Sequence, residues 1–498
     1  MASLSNAAES PTTKESLERV RRESLYGALS VGYKSWVYLD ITGRNDWNST
    51  LPIENCSFFY PSVSGSFVFS DAFDLSKKVF TFGKLRASWA KVGNGTGFNQ
   101  LINNFYQDVI FNGIPLFSVG SKLKNPSLRP ETTYSTEIGT DLRFFDKRLS
   151  LDVSYYFTKS IDQIVSAKVS TSTGFTDRMY NTGEIQNRGV EIALNTRPIQ
   201  TKSGFIWDMN VNWALNKNRV VSIMDGVSSL QLGGWGSVTI NAEEGEPYGV
   251  IRGTDYRYDD EGYAMIGLDG KPISTSNQYL GNVQPLFNGS LTNSLAFKNF
   301  DMNIMMDFKS GGRVFSASDY TGVEQGNSLR SLQYRDAYSF SYLVLKEDGN
   351  ELNGKNTITG LPYSDTERVK GGIFNGRLYG LNVETGQYEY KGVNTQYLSA
   401  QTYWEQASKM TSAFLYDASY IKLREVSIGY TMPSKFLKKA GINTLHIAIV
   451  GRNLWTIYHN TPFGIDPQAT ASSGNDQGIE SAYALPAAYY GFDFKISF

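Results

Sequence analysis

The chain has 498 residues, enough for several ordinary domains or for one very large β-structure. Its 31 Tyr, 29 Phe and 47 Gly against only 15 Pro suit many strands and turns, and no apolar run reaches the ~18 residues of a helical membrane span. The 47 basic and 48 acidic residues are scattered and leave a net charge of −1, so neither a nucleic-acid footprint nor a polybasic membrane patch is present, and one cysteine, Cys56, with two histidines, His446 and His459, provides no disulfide framework and no His-rich metal site.

The first 13 residues are polar and small, without the basic start, apolar middle and cleavage site of a secretory signal. Residues 1–24 read as a polar loop segment, and alternation begins at Leu25. Residues 25–33 and 35–45 read as a tight hairpin with Val37, Leu39 and Ile41 on one face. A polar link, 46–60, precedes a second pair, 61–70 and 79–92. Beyond the long connection 93–130, residues 131–144 and 148–159 form a hairpin across 145–147, with Leu149, Leu151, Val153, Tyr155 and Phe157 aligned. Residues 184–197 and 205–216 follow, and the latter sets Phe205, Trp207, Met209, Val211, Trp213 and Leu215 against Ile206, Asp208, Asn210, Asn212, Ala214 and Asn216. A long excursion, 218–284, with a small hairpin at 248–258, leads to 287–297 and 300–309. The face Phe300, Met302, Ile304, Met306 and Phe308 is wholly apolar. A very long loop, 311–416, precedes 420–432 and 444–453, joined through 433–443. A last loop, 454–488, reaches the terminal strand 489–498, which aligns Tyr490, Phe492, Phe494, Ile496 and Phe498.

Long loops and short turns trade places along the chain, which puts the long loops on one side of the sheet. Such sorting, with unbroken apolar stripes on about 13 strands, predicts an all-β fold: an antiparallel transmembrane β-barrel between lipid and a polar lumen. Trp47, Phe144, Phe145, Phe297, Tyr430, Trp455 and Tyr489 stand near strand ends, where interface girdles belong. The alternative is a soluble all-β carbohydrate-binding or carbohydrate-active protein. That reading needs paired carboxylates on facing strands, whereas Asp152, Asp208 and Asp493 are single positions on polar faces. His446 and His459 adjoin no nucleophile elbow, and Gly93-Asn94-Gly95-Thr96-Gly97 lacks the spacing of a phosphate loop. No catalytic residue, cofactor site or metal ligand is assigned, and the chain reads as no enzyme.

The stretch Asn125-Pro126-Ser127-Leu128-Arg129-Pro130-Glu131-Thr132-Thr133, continuing through Glu137-Ile138-Gly139-Thr140-Asp141, resembles a segment of the SusC/RagA family of TonB-dependent outer-membrane transporters. Further blocks agree in order: Asn181-Thr182-Gly183-Glu184-Ile185-Gln186-Asn187-Arg188-Gly189-Val190-Glu191, Leu280-Gly281-Asn282-Val283-Gln284-Pro285, Tyr420-Ile421-Lys422-Leu423-Arg424-Glu425-Val426-Ser427-Ile428-Gly429-Tyr430, Gly451-Arg452-Asn453-Leu454 and Asp466-Pro467. One departure is the family's Asp/Gly-rich segment: Asp259-Asp260-Glu261-Gly262 and Asp269-Gly270 lie apart here, and turns built from Asp and Gly explain them better than a calcium loop.

The resemblance implies that residues 25–498 are the carboxy-terminal part of a 22-stranded barrel. A signal peptide, a plug domain and a TonB-contacting segment would lie outside this chain, and the chain would be inactive by itself. It implies localisation in the bacterial outer membrane and import of a glycan or peptide nutrient. It also implies a SusD-like lipoprotein lid, contact with the lipid bilayer and, through the part outside this chain, the TonB–ExbB–ExbD energy-coupling complex. Loops 93–130, 218–284, 311–416 and 454–488 would face lid and solute, and Trp235, Tyr320, Tyr334, Tyr338 and Trp404 are the aromatic candidates there for stacking on sugar rings.

Overall fold

A computed structural model describes residues 17–75, 78–112, 114–335, 372–437, 441–462, 464–469, 474, 477–481 and 487–498. Thirteen long strands follow one another in chain order: β1 (Arg22–Tyr33), β2 (Val37–Asn48), β3 (Ser57–Phe67), β4 (Phe80–Asn94), β5 (Glu131–Phe144), β6 (Leu149–Lys168), β7 (Asp177–Gln200), β8 (Phe205–Ser222), β9 (Phe287–Phe297), β10 (Phe300–Ser310), β11 (Tyr420–Thr431), β12 (Thr444–His459) and β13 (Tyr489–Ser497). Their order in the 14-stranded sheet is the order of the chain, and the short strand Lys122–Leu123 joins it in parallel beside β7.

β5 and β9 coincide with the segments expected from the sequence, and β1 begins three residues before the expected Leu25. The larger differences fall at the long-connection ends. β6 runs on to Lys168, β7 starts already at Asp177, and β8 and β12 continue to Ser222 and His459. In β6 and β12 the two-residue repeat is interrupted by Asp162 (φ 56°) and Asn453 (φ 53°), left-handed residues of the kind found at bulges, so the alternation ends in the sequence before the strand ends in space. The hairpin expected at 248–258 is instead a single strand, Val250–Tyr256, in a four-stranded sheet with Ser229–Trp235, Val238–Glu243 and Ser274–Asn282. Likewise, 311–416 is structured in part: it carries helices α1 (Ala317–Glu324) and α2 (Ala400–Ser408) and several short strands.

The chain divides into two compact units. One comprises Met1–Phe67, Arg86–Ile138 and Phe157–Ile185. In it β1, β2 and β3 pair so that Tyr33, Val37 and Phe67 share one face, as do Leu29, Ile41 and Val63. The opposite face is polar: Ser30 donates to Asp40 at 2.6 Å and the Thr42 and Ser62 hydroxyls meet at 2.6 Å. The motif residues form a buckle at the strand ends. The Asn181 side chain accepts from the Arg129 N–H at 2.7 Å and donates to the carbonyls of Arg129 at 2.7 Å and Asp162 at 3.0 Å. Glu131 accepts from the Ile164 N–H at 2.8 Å, and Leu128 is fully buried.

The other unit comprises Val68–Leu85, Gly139–Tyr156 and Gln186–Phe498. Across β8 to β13 the register builds apolar rows: Trp207, Leu295, Met302, Ile428, Ile449 and Phe492 make one, and Phe205, Phe297, Phe300, Tyr430, Ile447 and Phe494 the next. These rows face outward, with Phe300, Ile428, Ile449 and Phe492 all more than half exposed. Aromatics close the band at both ends. Phe300 meets Tyr430 at 4.8 Å with the rings tilted by 52°, and eight residues along β10 Phe308 meets Phe287, itself beside Trp213. Eight residues span roughly 26 Å of strand, which fits the ~25 Å apolar band of a barrel wall. Of the girdle candidates, Trp455 and Tyr489 stand at the long-connection end and Phe144, Phe145, Phe297 and Tyr430 at the short-turn end, and Phe297, Phe145, Trp455 and Tyr489 are exposed.

Candidate functional site

The opposite face of β8 to β13 is polar. Asp208, Asn210 and Asn212 on β8, Ser290, Thr292 and Ser294 on β9, and Asn303 and Asp307 on β10 line it, and Arg197 grips Asp208 with two bonds of 2.7 and 2.9 Å. At its long-connection end the motif residues of β11 and β12 and of the following loop form a knot. The side chain of Lys422 is 2% exposed, and its ammonium donates to both Asp466 oxygens at 2.5 and 2.7 Å and to Gln468 at 2.9 Å. A lysine so desolvated is tolerable only when its charge is met by a carboxylate. The β11 ladder skips Arg424 on both sides, and this bulge aims the guanidinium at Asp307 (2.7 Å), Asn453 (3.2 Å) and Gln468. The LGNVQP motif acts by shape. Val283 packs against Gly249 (φ 95°) and Gly478 (φ 108°), and a Cβ on Gly249 would come within 2.5 Å of the valine methyl.

The connections of this unit share a core of their own. Val238, Ile240, Ile251, Ile266, Phe315, Phe374, Phe414 and Ile479 are all buried in it. Four of the five aromatic candidates come together here. Trp235 meets Tyr320 edge-on at 5.0 Å, and Tyr334 lies 4.9 Å from Tyr403 and 6.0 Å from Trp404. Trp404 is 7% exposed, and its indole N–H donates to the Gln333 carbonyl at 3.1 Å. Tyr320 and Tyr334 are partly buried against the same core, and Tyr338 lies outside the described residues. The outward aromatics of these connections are others: Tyr258, Tyr279 and Tyr390, each about half exposed. Alternation along Ser274–Asn282 and Tyr388–Val393 is the sequence signal for two of them.

Arg330 ties α1 to this core, donating to Asp319 at 2.8 Å and to the Tyr416 hydroxyl at 2.9 Å. Burial and the Asp319 carboxylate both push the Tyr416 phenol upward. The Asp/Gly turn is equally committed. Asp259 accepts from the backbone N–H groups of Glu261 and Tyr263 and, on its other oxygen, from Arg377 (3.4 Å) and the Tyr379 hydroxyl (2.8 Å). Arg377 is stacked 3.9 Å above the Tyr263 ring. The acid that begins the Asp/Gly segment is thus spent on closing a turn.

Residues 4–323 match the family model described as TonB dependent receptor-like, beta-barrel. The chain is 26% identical over 499 residues to the TonB-dependent receptor P3 of Formosa agariphila, a match covering 94% of this chain and 44% of that protein. It is 28% identical over 352 residues to the TonB-dependent receptor SusC of Bacteroides thetaiotaomicron, covering 64% of this chain and 34% of SusC. Among solved structures, the RagAB peptide transporter superposes with a TM-score of 0.67 at 17% identity, over 95% of this chain and 47% of that one. The chain thus spans less than half the length of these relatives. With the apolar outward rows and the sorted connections, these likenesses place the chain in the TonB-dependent receptor-like β-barrel family, as a SusC/RagA-like member of the bacterial outer membrane.

Proposed function

We propose that this chain supplies thirteen wall strands and the long loops of a TonB-dependent transporter that imports a nutrient, an oligosaccharide or a peptide, across the outer membrane. The observation that carries the reading is the two-faced sheet: an apolar outer face ending in aromatics, and an Asn-, Ser- and Asp-lined face opposite it. A soluble lectin or glycosidase has no use for the first face. A lipoprotein lid of the SusD type is the proposed partner of the folded long connections, and TonB, driven by ExbB–ExbD, the proposed energy source. Transport is by gating and solute binding, without chemistry. The test is growth of a strain lacking the receptor that contains this chain, complemented with that receptor, on glycan or peptide as sole carbon source. Growth restored by the receptor and abolished by deletion of TonB is expected; growth that is independent of TonB would overturn the reading.

A further inference from the structure

We propose that Lys309, with Asn288 beside it, holds an anionic group of the imported solute at the long-connection end of the polar face, so that the solute carries a carboxylate. The inference rests on the transport reading above. Lys309 is the last polar-face residue of β10, two residues after Asp307 and level with the Phe287–Phe308 aromatics of the outer face. The register sets it directly across from Asn288 on β9 and from Tyr420 on β11.

Among the described residues, the Lys309 ammonium makes no ion pair and no hydrogen bond, in a sheet whose other polar-face charges at this level are all matched. Asp307 is taken by Arg424, and Asp466 by Lys422. Asp417, the acid acting on Lys309 through space, accepts instead from the Ser419 N–H at 2.8 Å. Asp417 acts through space on both Lys309 and Arg313 and is within ion-pair distance of neither, and of these two cations Lys309 is the one that stands on the polar face of the ladder. Asn288 is exposed and its side chain likewise makes no hydrogen bond among the described residues, so its amide offers a neutral donor on the same face, directly across the ladder from Lys309. An ammonium and an amide N–H across one strand pair suit the two oxygens of a carboxylate. Such a group can come from a peptide C-terminus or from an acidic sugar.

The experiment measures equilibrium binding to the receptor containing this chain, isolated from outer membranes. Its probes are N-acetyl-trialanine and its carboxamide, and an oligogalacturonate and a neutral gluco-oligosaccharide of equal length. Within one pair the anionic member is expected to bind about tenfold tighter, about 1.4 kcal/mol, and the pair that shows the preference identifies the source. K309M is expected to erase the preference, K309R to keep it, and N288A, at an exposed position, to reduce it about threefold. Heat-modifiable gel mobility checks that each variant is folded, and N288A still decides the matter if K309M is not. Equal binding of anionic and neutral members, or a preference that survives both K309M and N288A, overturns this proposal and leaves transport standing. No binding of any of the four probes, with the wild-type receptor folded, would count against both.

Discussion

Phe315 and Phe492 are the same side chain under opposite treatment. Phe315 is fully buried in the core of the long connections, whereas Phe492 is 71% exposed on the outer face of β13. The difference shows two solvents. The connections fold as a water-soluble protein does, hiding aliphatics and aromatics among themselves, and the sheet turns the same residue types outward because lipid covers them. The polar residues reverse in step: Lys422 is buried against its partner Asp466 on the polar side, while the outer rows from Trp207 to Phe492 hold no charge.

Truncation in the connection core should separate the two regions most sharply. Trp404→Ala removes a 7% exposed indole and its bond to Gln333, and a loss of about 3–5 kcal/mol is expected for the connections. Hydrogen exchange should rise through α1, α2 and the four-stranded sheet while the amides of β9 to β13 stay protected. Equal deprotection of the strands would show the two regions to be one cooperative unit. Asp466→Ala comes next. It strands the Lys422 ammonium in a site that is 2% exposed, and breaking a pair of this kind costs about 3–5 kcal/mol. Replacing Lys422 by Met in the same chain should recover much of the loss, a rescue visible as restored protease resistance of the connection after β12.

Ile304 and Asn303 test the sheet itself. They are neighbours on β10, on opposite faces, and Ile304 sits midway between the Phe300 and Phe308 aromatics. Ile304→Arg should cost about 2–4 kcal/mol of insertion, whereas Asn303→Arg should be nearly silent. The assay is the fraction of protein that reaches the heat-modifiable, membrane-inserted form. A penalty at both positions would dissolve the distinction between the faces.

The sheet was legible in the sequence because each strand writes its two faces in a period of two. Phe205 to Leu215 and Phe300 to Phe308 needed nothing else. The strand extensions were not, since Asp162 and Asn453 break the period while the strand continues. The connection core was illegible for a different reason. Trp235, Phe315, Tyr334 and Trp404 are brought together by pairings such as Phe315 with Ile479, which no local pattern announces. The motifs lie between these extremes. Their residues were visible in the sequence, but only the structure shows that Asn181 buckles Arg129 to Asp162, or that Lys422 and Asp466 are partners.

The smallest effect is expected from acid. Burial works to raise the carboxyl pKa of Asp259, but the Tyr263 N–H, the Tyr379 hydroxyl, the Glu261 N–H and the Arg377 charge outweigh it and hold the group below its ordinary value. A carboxyl whose folded pKa is depressed contributes stability that is complete above its unfolded pKa and is lost as pH falls through the folded one. The turn at 259–263 and its clasp on Arg377 should therefore loosen only below about pH 4, seen as faster exchange of the Tyr263 amide. Asp259→Asn should flatten that acid response and leave exchange at neutral pH slightly faster. The exposed pair of Glu389 and Lys391 in the same connection should contribute almost nothing at any pH, because water already solvates both charges. If the acid response survived in the Asn variant, a group other than Asp259 would be the one titrating.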